Sequence, residues 1–376
     1  MDLALTVEER DFRNRLLAWL TGASVPPGLR DYGSTPTLDD ISPARAWQRI
    51  LFDAGWAGLS WPREHGGAGA GLVEQAIFAE EMAKASLPRQ LNIVGLELVG
   101  PMLWRYGTAD QQQLFLPAIL RGDEVWCQLF SEPGAGSDLA GLATRATPTG
   151  GGWSVTGQKV WTSGAHYADL GLLVARTGEG ERHRGLTCFL VPLGRPGVSV
   201  HPLRQMDGEE KFNEVFLDDV RVSPADVLGT PGRGWEVAIS TLERERLSLG
   251  AHAVGLFSEL EEMGKELGAA GPAARQTWAT LWGRTWLLRA TWWRALSGDE
   301  HLSGPGLSVL KLLASETNRD VGRLAVAVSG AAAVGGDECH PAAARLLASP
   351  GATIAGGTSE IVRNLIAERV LGLPRS

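Results

Sequence analysis

The stretch Phe130-Ser131-Glu132-Pro133-Gly134-Ala135-Gly136-Ser137-Asp138 follows the apolar run 125–129, which we interpret as a strand. Its proline and two glycines predict a sharp turn, and glycine lets backbone N–H groups approach a ligand that a Cβ would keep away. A second strand-like run, Gly157–Gly164, adds an indole and two hydroxyl groups. Together the two runs predict a site for a large, flat, phosphate-bearing ligand. Three side chains add hydrogen-bonding groups to the turn: Ser131, Ser137 and Asp138.

Each run by itself is ambiguous. A short glycine- and proline-rich run is usually a surface turn between strands, and a strand tryptophan is usually part of a core. No G-x-G-x-x-G sequence follows a strand and opens a helix here, so a Rossmann site is not supported. The order and spacing of the two runs therefore carry the prediction.

Composition limits the class of protein. The 376 residues are 44% hydrophobic with a formal net charge of -8. This predicts a substantial core and argues against nucleic acid as the main partner. The three cysteines are widely spaced and indicate neither a disulfide framework nor a metal site. Since the N-terminus is charged and no apolar run approaches membrane-spanning length, we expect no signal peptide, no membrane span and a reducing, cytoplasmic setting.

The periodicity of the chain divides it into three parts. Helical spacing dominates residues 1–122, short strand-like runs separated by glycine and proline occupy 123–230, and long helices return in 231–376. We predict an α+β multidomain fold with an N-terminal helical domain, a middle antiparallel β-barrel or sandwich, and a C-terminal helical bundle. Five tryptophans at helical spacing are predicted to lie in a core or a subunit interface: Trp278, Trp282, Trp286, Trp292 and Trp293.

Over nearly its whole length the chain resembles the acyl-CoA dehydrogenase family of flavoproteins. Each matching block is moderately specific, whereas the blocks in this order are highly specific. Besides the two runs above, the blocks are Gly55–Pro62, Gly66-Gly67, Glu80–Ala83, Phe212–Val222, Gly356–Asn364 and Leu371–Pro374.

The resemblance implies the same three-part fold, with FAD at the domain junction. It implies α,β-dehydrogenation of an acyl-CoA or acyl-carrier thioester, in which a carboxylate takes the α-proton and flavin N5 receives the hydride. The implied partners are an electron-transfer flavoprotein or similar acceptor and further subunits, as a homodimer, homotetramer or heteromer with a related chain.

Site residues follow from the matching positions. Ser131 matches a hydroxyl that faces the flavin ring, while Trp161 and Ser163 match the indole beside the ring and the hydroxyl near N5. The resemblance implies further cofactor contacts at Gln128, Phe130, Gly136, Ser137, Thr162, Arg275, Thr358 and Glu360. It implies substrate contacts at Ser137, Arg246, Gly356 and Gly357.

The catalytic base requires a choice between two positions in the family. Many members place a glutamate just before the late Gly-Thr, where this chain has Gly356, which has no side chain to accept a proton. A second group places the glutamate before an arginine on a C-terminal helix, and Glu245 before Arg246 fits that pattern. We predict Glu245 as the base, with Glu243 as its rival. The alternative for either glutamate is a solvated helix charge paired with arginine.

Several positions depart from the family. No Arg-Phe-Gly sequence occurs in the C-terminal part, where Arg275-Gln276 is a weak substitute, and the adenylate-side segment is reduced to Ala332–Gly336. Pro350 stands where many members carry arginine. These departures leave open a catalytically silent or heteromeric partner subunit, and a same-fold flavin oxidase is the other enzyme alternative.

Overall fold

A computed structural model describes residues 5–29, 36–179, 182–248, 252–268, 271–296, 302, 304–335 and 339–374. For 245–248, 252–254 and 296 it describes the backbone alone.

The N-terminal part is helical, as its 3.6-residue apolar spacing predicts. Thr6 caps α1 through a capping box with Glu9, and Thr108 caps α5 in the same way with Gln111. The helices are α1 (Val7–Gly22), α2 (Ile41–Asp53), α3 (Leu72–Lys84), α4 (Gly100–Tyr106) and α5 (Ala109–Arg121), with a π-helical segment, Val94–Val99, leading directly into α4.

The middle part is one eight-stranded sheet in the described residues. Its order is β6-β7-β3-β2-β4-β5-β8, and β1 lies beside β4. The pairings are antiparallel except that β1 and β2 each pair with β4 in parallel, which the sequence pattern did not predict. The strands are β1 (Trp126–Leu129), β2 (Arg145–Thr149), β3 (Gly152–Ser163), β4 (Leu170–Arg176), β5 (Leu186–Pro192), β6 (Val198–Leu203), β7 (Phe212–Val222) and β8 (Val227–Leu228).

Both faces of the sheet are covered at its centre. In β4, Leu172 and Val174 pack with the N-terminal helices. Leu173 and Ala175 point to the other face, where they pack with side chains of other strands. Successive strand residues point to opposite faces, so a strand buried on both sides reads as a continuous apolar run. The sheet is therefore joined directly to the helical part that precedes it.

The C-terminal part is helical again. Its helices are α6 (Gly234–Ser248), α7 (His252–Glu266), α8 (Pro272–Leu296), α9 (Leu307–Ser329), α10 (Pro341–Ala352) and α11 (Ser359–Leu365), and π-helical residues Ile366–Val370 continue α11. Helix α10 was not among the predicted helices; its alanine-rich sequence contains Pro350 near its end.

The predicted tryptophan cluster packs around α8. Trp292 is buried, Trp278 and Trp282 are stacked with ring centroids 5.1 Å apart, and Trp282 lies 4.4 Å from Phe257 of α7. Trp286 is half-exposed. The core interpretation is confirmed for the buried members. Among the described residues, none of the helices has both the length and the apolar character to cross a membrane.

Candidate active site

The candidate site is a cavity of about 180 Å³ between strands β1 and β3 of the sheet and the π-helical segment. Three of its lining residues were predicted as cofactor contacts, namely Gln128, Trp161 and Ser163. The opposite wall consists of Ile93, Val94, Glu97 and Leu98. A larger hollow of about 410 Å³ on the sheet, which Arg195 and Asp226 help to line, contains no predicted site residue.

A buried ion pair stabilises the turn after β1. Lys159 Nζ lies 2.8 Å from Glu132 Oε1 and donates to the Phe130 carbonyl at 3.0 Å. Glu132 also accepts from the backbone amides of Ala143 and Thr144. Val160 N then donates to the Ser131 carbonyl, which joins the turn to β3. These bonds fix the position of the turn, which follows the cavity residue Gln128.

The charges of this pair respond to burial in different ways. Burial tends to raise the pKa of Glu132, but the charge and hydrogen bond of Lys159, together with the backbone amides, hold it below its ordinary value. Burial lowers the pKa of Lys159 to about 8 despite the attraction of Glu132. Each ion depends on its partner because an unpaired charge in this core would be costly.

Trp161 has an uncommon backbone conformation. Its φ is +60°, in the left-handed region that non-glycine residues rarely adopt, and the β3–β7 register shifts between Lys159 and Thr162. A bulge of this kind redirects a side chain. The indole is 61% exposed and meets the ring of Phe212 edge-on at 5.9 Å. The bulge therefore turns a large aromatic surface outward beside the cavity.

The residues of this wall fit a flavin. Thr162 is fully buried, yet its Oγ1 has no hydrogen-bond partner in the described part of the chain. A Cβ on Gly136 would meet no atom within 4 Å, so open space adjoins the turn. An exposed indole, nearby hydroxyl groups and an amide suit a flat ring with donors and acceptors along its edge. Ser131, Thr162, Ser163 and Gln128 could hold such a ring beside Trp161.

The opposite wall is shaped by Pro101. Gly100 N bonds the Gly95 carbonyl in the wide π-helical pattern, and the next donor, at position 101, is missing because proline has no N–H. The Trp61 indole donates to the Leu96 carbonyl instead, at 2.7 Å. Arg244 Nε of α6 donates to the Glu97 carbonyl at 3.2 Å. Distant side chains therefore stabilise the distorted turn that carries Glu97.

Asn92 connects this wall to the sheet. The fully buried side chain accepts from Trp126 N of β1 at 2.9 Å and donates to the Glu124 carbonyl. It also contacts the backbone of Gly95, where a Cβ would come within 2.4 Å of the Asn92 amide. Gly95 is thus required by close packing, and the two walls of the cavity are held at a fixed separation.

Glu97 is the ionisable residue among the described residues that line the cavity. Burial raises the pKa of its carboxyl group, and the positive charges of Arg244 and Arg89 act against that increase. Arg244 bonds the Glu97 carbonyl oxygen, not the carboxyl group, and its guanidinium lies over the Trp104 ring at 5.9 Å. In the described part of the chain no donor hydrogen-bonds the Glu97 carboxyl oxygens.

The predicted bases lie on α6. Glu243 is exposed. Glu245 and Arg246 belong to the same helix, but their side chains lie outside the described residues. Helix α6 packs against the π-helical segment, and Arg244, adjacent to Glu245, bonds that segment directly.

The late motif lies on another surface of the C-terminal part. Thr358 Oγ1 caps α11 by accepting from Ile361 N, while Glu360 is exposed. Gly356 and Gly357 have φ values of +67° and +105°, and the buried Lys311 donates to the Gly357 carbonyl at 2.5 Å. None of these four predicted residues lines the cavity in the described structure.

Three other predicted residues have distinct surroundings. Arg275 is exposed on the first turn of α8, whose main neighbours are α7 and α9. Ser137 is exposed beside Asp138, which pairs with Arg182. The Phe130 side chain belongs to the core, so a cofactor contact there would involve its backbone.

Sequence reasoning missed Glu97, Lys159 and Glu132 as site residues. Glu97 had a usable signal, since it is the single charged residue in the apolar run 93–99. The Lys159–Glu132 pair had none, because its members are 27 residues apart and each resembles an ordinary surface charge.

The chain matches the family models described as acyl-CoA dehydrogenase N-terminal domain (residues 9–123), middle domain (127–220) and C-terminal domain (232–371). The acyl-CoA dehydrogenase IpdE1 of Mycobacterium tuberculosis is 43% identical over 377 residues, covering 97% of this chain and 98% of that protein.

Two solved structures match the whole chain. The Tcur3481-Tcur3483 steroid ACAD is 30% identical with a TM-score of 0.86, covering 100% of both chains. The ChsE4-ChsE5 complex from Mycobacterium tuberculosis is 28% identical with a TM-score of 0.83, again covering 100% of both chains. The predicted fold class, with helical, β-sheet and helical parts in that order, is confirmed.

Proposed function

Because this chain belongs to the acyl-CoA dehydrogenase family of oxidoreductases, we propose that it binds FAD and converts an acyl-CoA thioester to the enoyl thioester. The family supports a flavin cofactor in general. FAD in particular is our proposal, as are the domain limits 1–122, 123–230 and 231–376. When bound, FAD supplies the acceptor for the hydride that leaves the β-carbon. Gln128, Ser131, Thr162 and Ser163 would hold the ring beside the Trp161 indole.

Glu245 would remove the α-proton. The observation that supports this role most is the hydrogen bond from Arg244 to the Glu97 carbonyl, because it ties the residue before Glu245 to the cavity wall. A base must come within hydrogen-bond reach of its proton, and a dry site raises a carboxyl pKa toward neutrality. Glu243 is exposed and is the weaker candidate.

The substrate would enter between the two walls. The cavity is smaller than the roughly 300 Å³ at which pockets for drug-sized ligands begin, so it encloses only part of a long thioester. Ser137, Arg246, Gly356 and Gly357 remain proposed substrate contacts. Similarity to a structure described as a steroid ACAD favours a bulky, ring-bearing acyl group over a plain fatty acyl chain.

Anaerobic titration of the flavin-loaded protein with acyl-CoA thioesters tests this function. Substrate should bleach the flavin absorbance of the wild type. Glu245→Gln should keep the flavin but slow bleaching by about 10²- to 10⁴-fold, the usual contribution of a general base. Glu243→Gln is the matched control on the same helix and should behave as the wild type. The reverse result would assign the base to Glu243, and full bleaching in both variants would exclude α6 as its source.

We also propose that the chain works in an assembly in the cytoplasm. The two similar structures are each named as a pair of chains, which favours a heteromer with a related subunit over a homodimer or homotetramer. An electron-transfer flavoprotein would accept the electrons. All three cysteines are free, which suits a reducing compartment. Light scattering of the chain alone should show whether it assembles by itself, and a colourless protein that stays apo with added FAD would favour a silent partner subunit.

A further inference from the structure

The wall opposite the flavin-binding residues combines apolar groups with one carboxyl group. Ile93, Val94 and Leu98 would suit a hydrocarbon acyl chain, whereas Glu97 would not. A buried polar group without a hydrogen bond is unfavourable, and a charged one is more so. Glu97 therefore lowers the affinity of this wall for a plain alkyl chain.

Among the described residues, no donor hydrogen-bonds the carboxyl group of Glu97. The nearest described cation that bonds this residue, Arg244, uses its Nε for the backbone carbonyl at 3.2 Å and places its guanidinium over the Trp104 ring. The π-helical turn is stabilised independently by Trp61, which bonds the Leu96 carbonyl. The fold thus holds the backbone at the carbonyl oxygens of Leu96 and Glu97, and the described residues leave the Glu97 carboxyl group without a hydrogen bond beside the cavity.

We infer that Glu97 is a specificity-determining residue whose carboxyl group hydrogen-bonds a hydroxyl or oxo group carried by the acyl part of the substrate. This inference rests on the proposed dehydrogenase function. A hydroxyl group can donate to a carboxylate or accept from a carboxylic acid, whereas an oxo group can only accept from the acid. A site built to bond such an oxygen discriminates against the analogue that lacks it, because its own polar group then stays unpaired.

Three matched thioesters provide the test: cyclohexylpropanoyl-CoA, its ring-hydroxylated analogue and its ring-oxo analogue. The flavin-loaded wild type should prefer an oxygenated substrate by roughly 10- to 100-fold in kcat/KM, the range expected for one hydrogen bond to a charged or acidic group. Glu97→Leu should abolish or reverse that preference. The change should lie in KM, since Glu97 binds the substrate away from the reacting carbons.

Two further variants complete the design. Glu97→Gln keeps both a donor and an acceptor, so it should retain part of the preference, and it replaces the leucine variant if that protein does not fold. Glu8→Leu, on an exposed position of α1, controls for loss of a surface carboxylate and should match the wild type.

The outcomes are separable. An unchanged preference in Glu97→Leu, no preference in the wild type, or an equal fall in kcat for all three substrates would each overturn the role of Glu97. Failure of the dehydrogenase function itself would look different, because then none of the three thioesters would bleach the wild-type flavin.

Discussion

The two walls of the cavity differ in how their charged side chains are bonded. On the sheet side, the turn after β1 rests on a buried ion pair, Lys159–Glu132, whose members bond each other and the backbone. On the helical side, Glu97 is held by its backbone while its carboxyl group has no bond from the described residues. In the function that we propose, the first arrangement presents a fixed surface to the bound cofactor, and the second leaves a polar group for the substrate.

Loss of the buried ion pair should lower the free energy of unfolding more than any other substitution in the two walls. Lys159→Met leaves Glu132 as an uncompensated charge in the core, which typically costs about 3–5 kcal/mol. We expect a corresponding fall in the free energy of unfolding in urea, and loss of flavin from the purified protein. Lys84→Met is the control, because Lys84 pairs with Glu81 at a 55% exposed position and such pairs contribute at most about 1 kcal/mol. An equal fall in the free energy of unfolding in the two variants would show that the buried pair contributes no more stability than the exposed one.

The pH dependence of stability should have opposite signs on the two walls. The pKa of Glu132 is lowered from its ordinary 4.5, so its contribution is complete above 4.5 and is lost as the pH falls through the folded-state value. The stability advantage of the wild type over Glu132→Gln should therefore shrink in acid. The pKa of Glu97 is raised, so the wild type loses stability relative to Glu97→Gln as the pH rises through the folded-state value.

Thermal unfolding of the three proteins across an acid-to-neutral pH series measures both trends. The charged groups acting on Glu97 in this comparison are Arg244 and Arg89, which oppose the effect of burial. Parallel curves for wild type and Glu97→Gln would mean that the carboxyl group is solvated in the free protein, and the contrast between the walls would disappear.

The smallest expected change in the free energy of unfolding comes from backbone strain at Trp161. A left-handed non-glycine residue costs roughly 1–2 kcal/mol, and the 61% exposed indole contributes little burial. In urea unfolding, Trp161→Gly should therefore have a free energy of unfolding about 1 kcal/mol higher than that of Trp161→Ala, because glycine relieves the strain. Both variants lack the indole, so both should retain less flavin than the wild type. A glycine variant less stable than the alanine variant would mean that the bulge is not strained.

Much of the sheet-side wall was predictable. The turn, the strand before it and the run 157–164 are each encoded by residues close together in the sequence. Gln128, Trp161 and Ser163 could therefore be assigned to one site before the structure was known. The bulge that exposes Trp161 was not predictable, because a register shift depends on the partner strand. The predicted catalytic role of Glu245 stays a prediction, since its side chain lies outside the described residues.

The sequence by itself determined the three-part architecture, the family and one wall of the site, because contiguous motifs encode turns, strands and helices through local conformational preferences. Only the tertiary structure decided what faces that wall. The hydrogen bond from Arg244 to Glu97 spans 147 residues, and the Trp61 bond that compensates for Pro101 spans 35. Such contacts arise from packing between distant segments, so local sequence motifs predict the side of the cavity that carries Gln128 and Trp161 but not the carboxyl group opposite it.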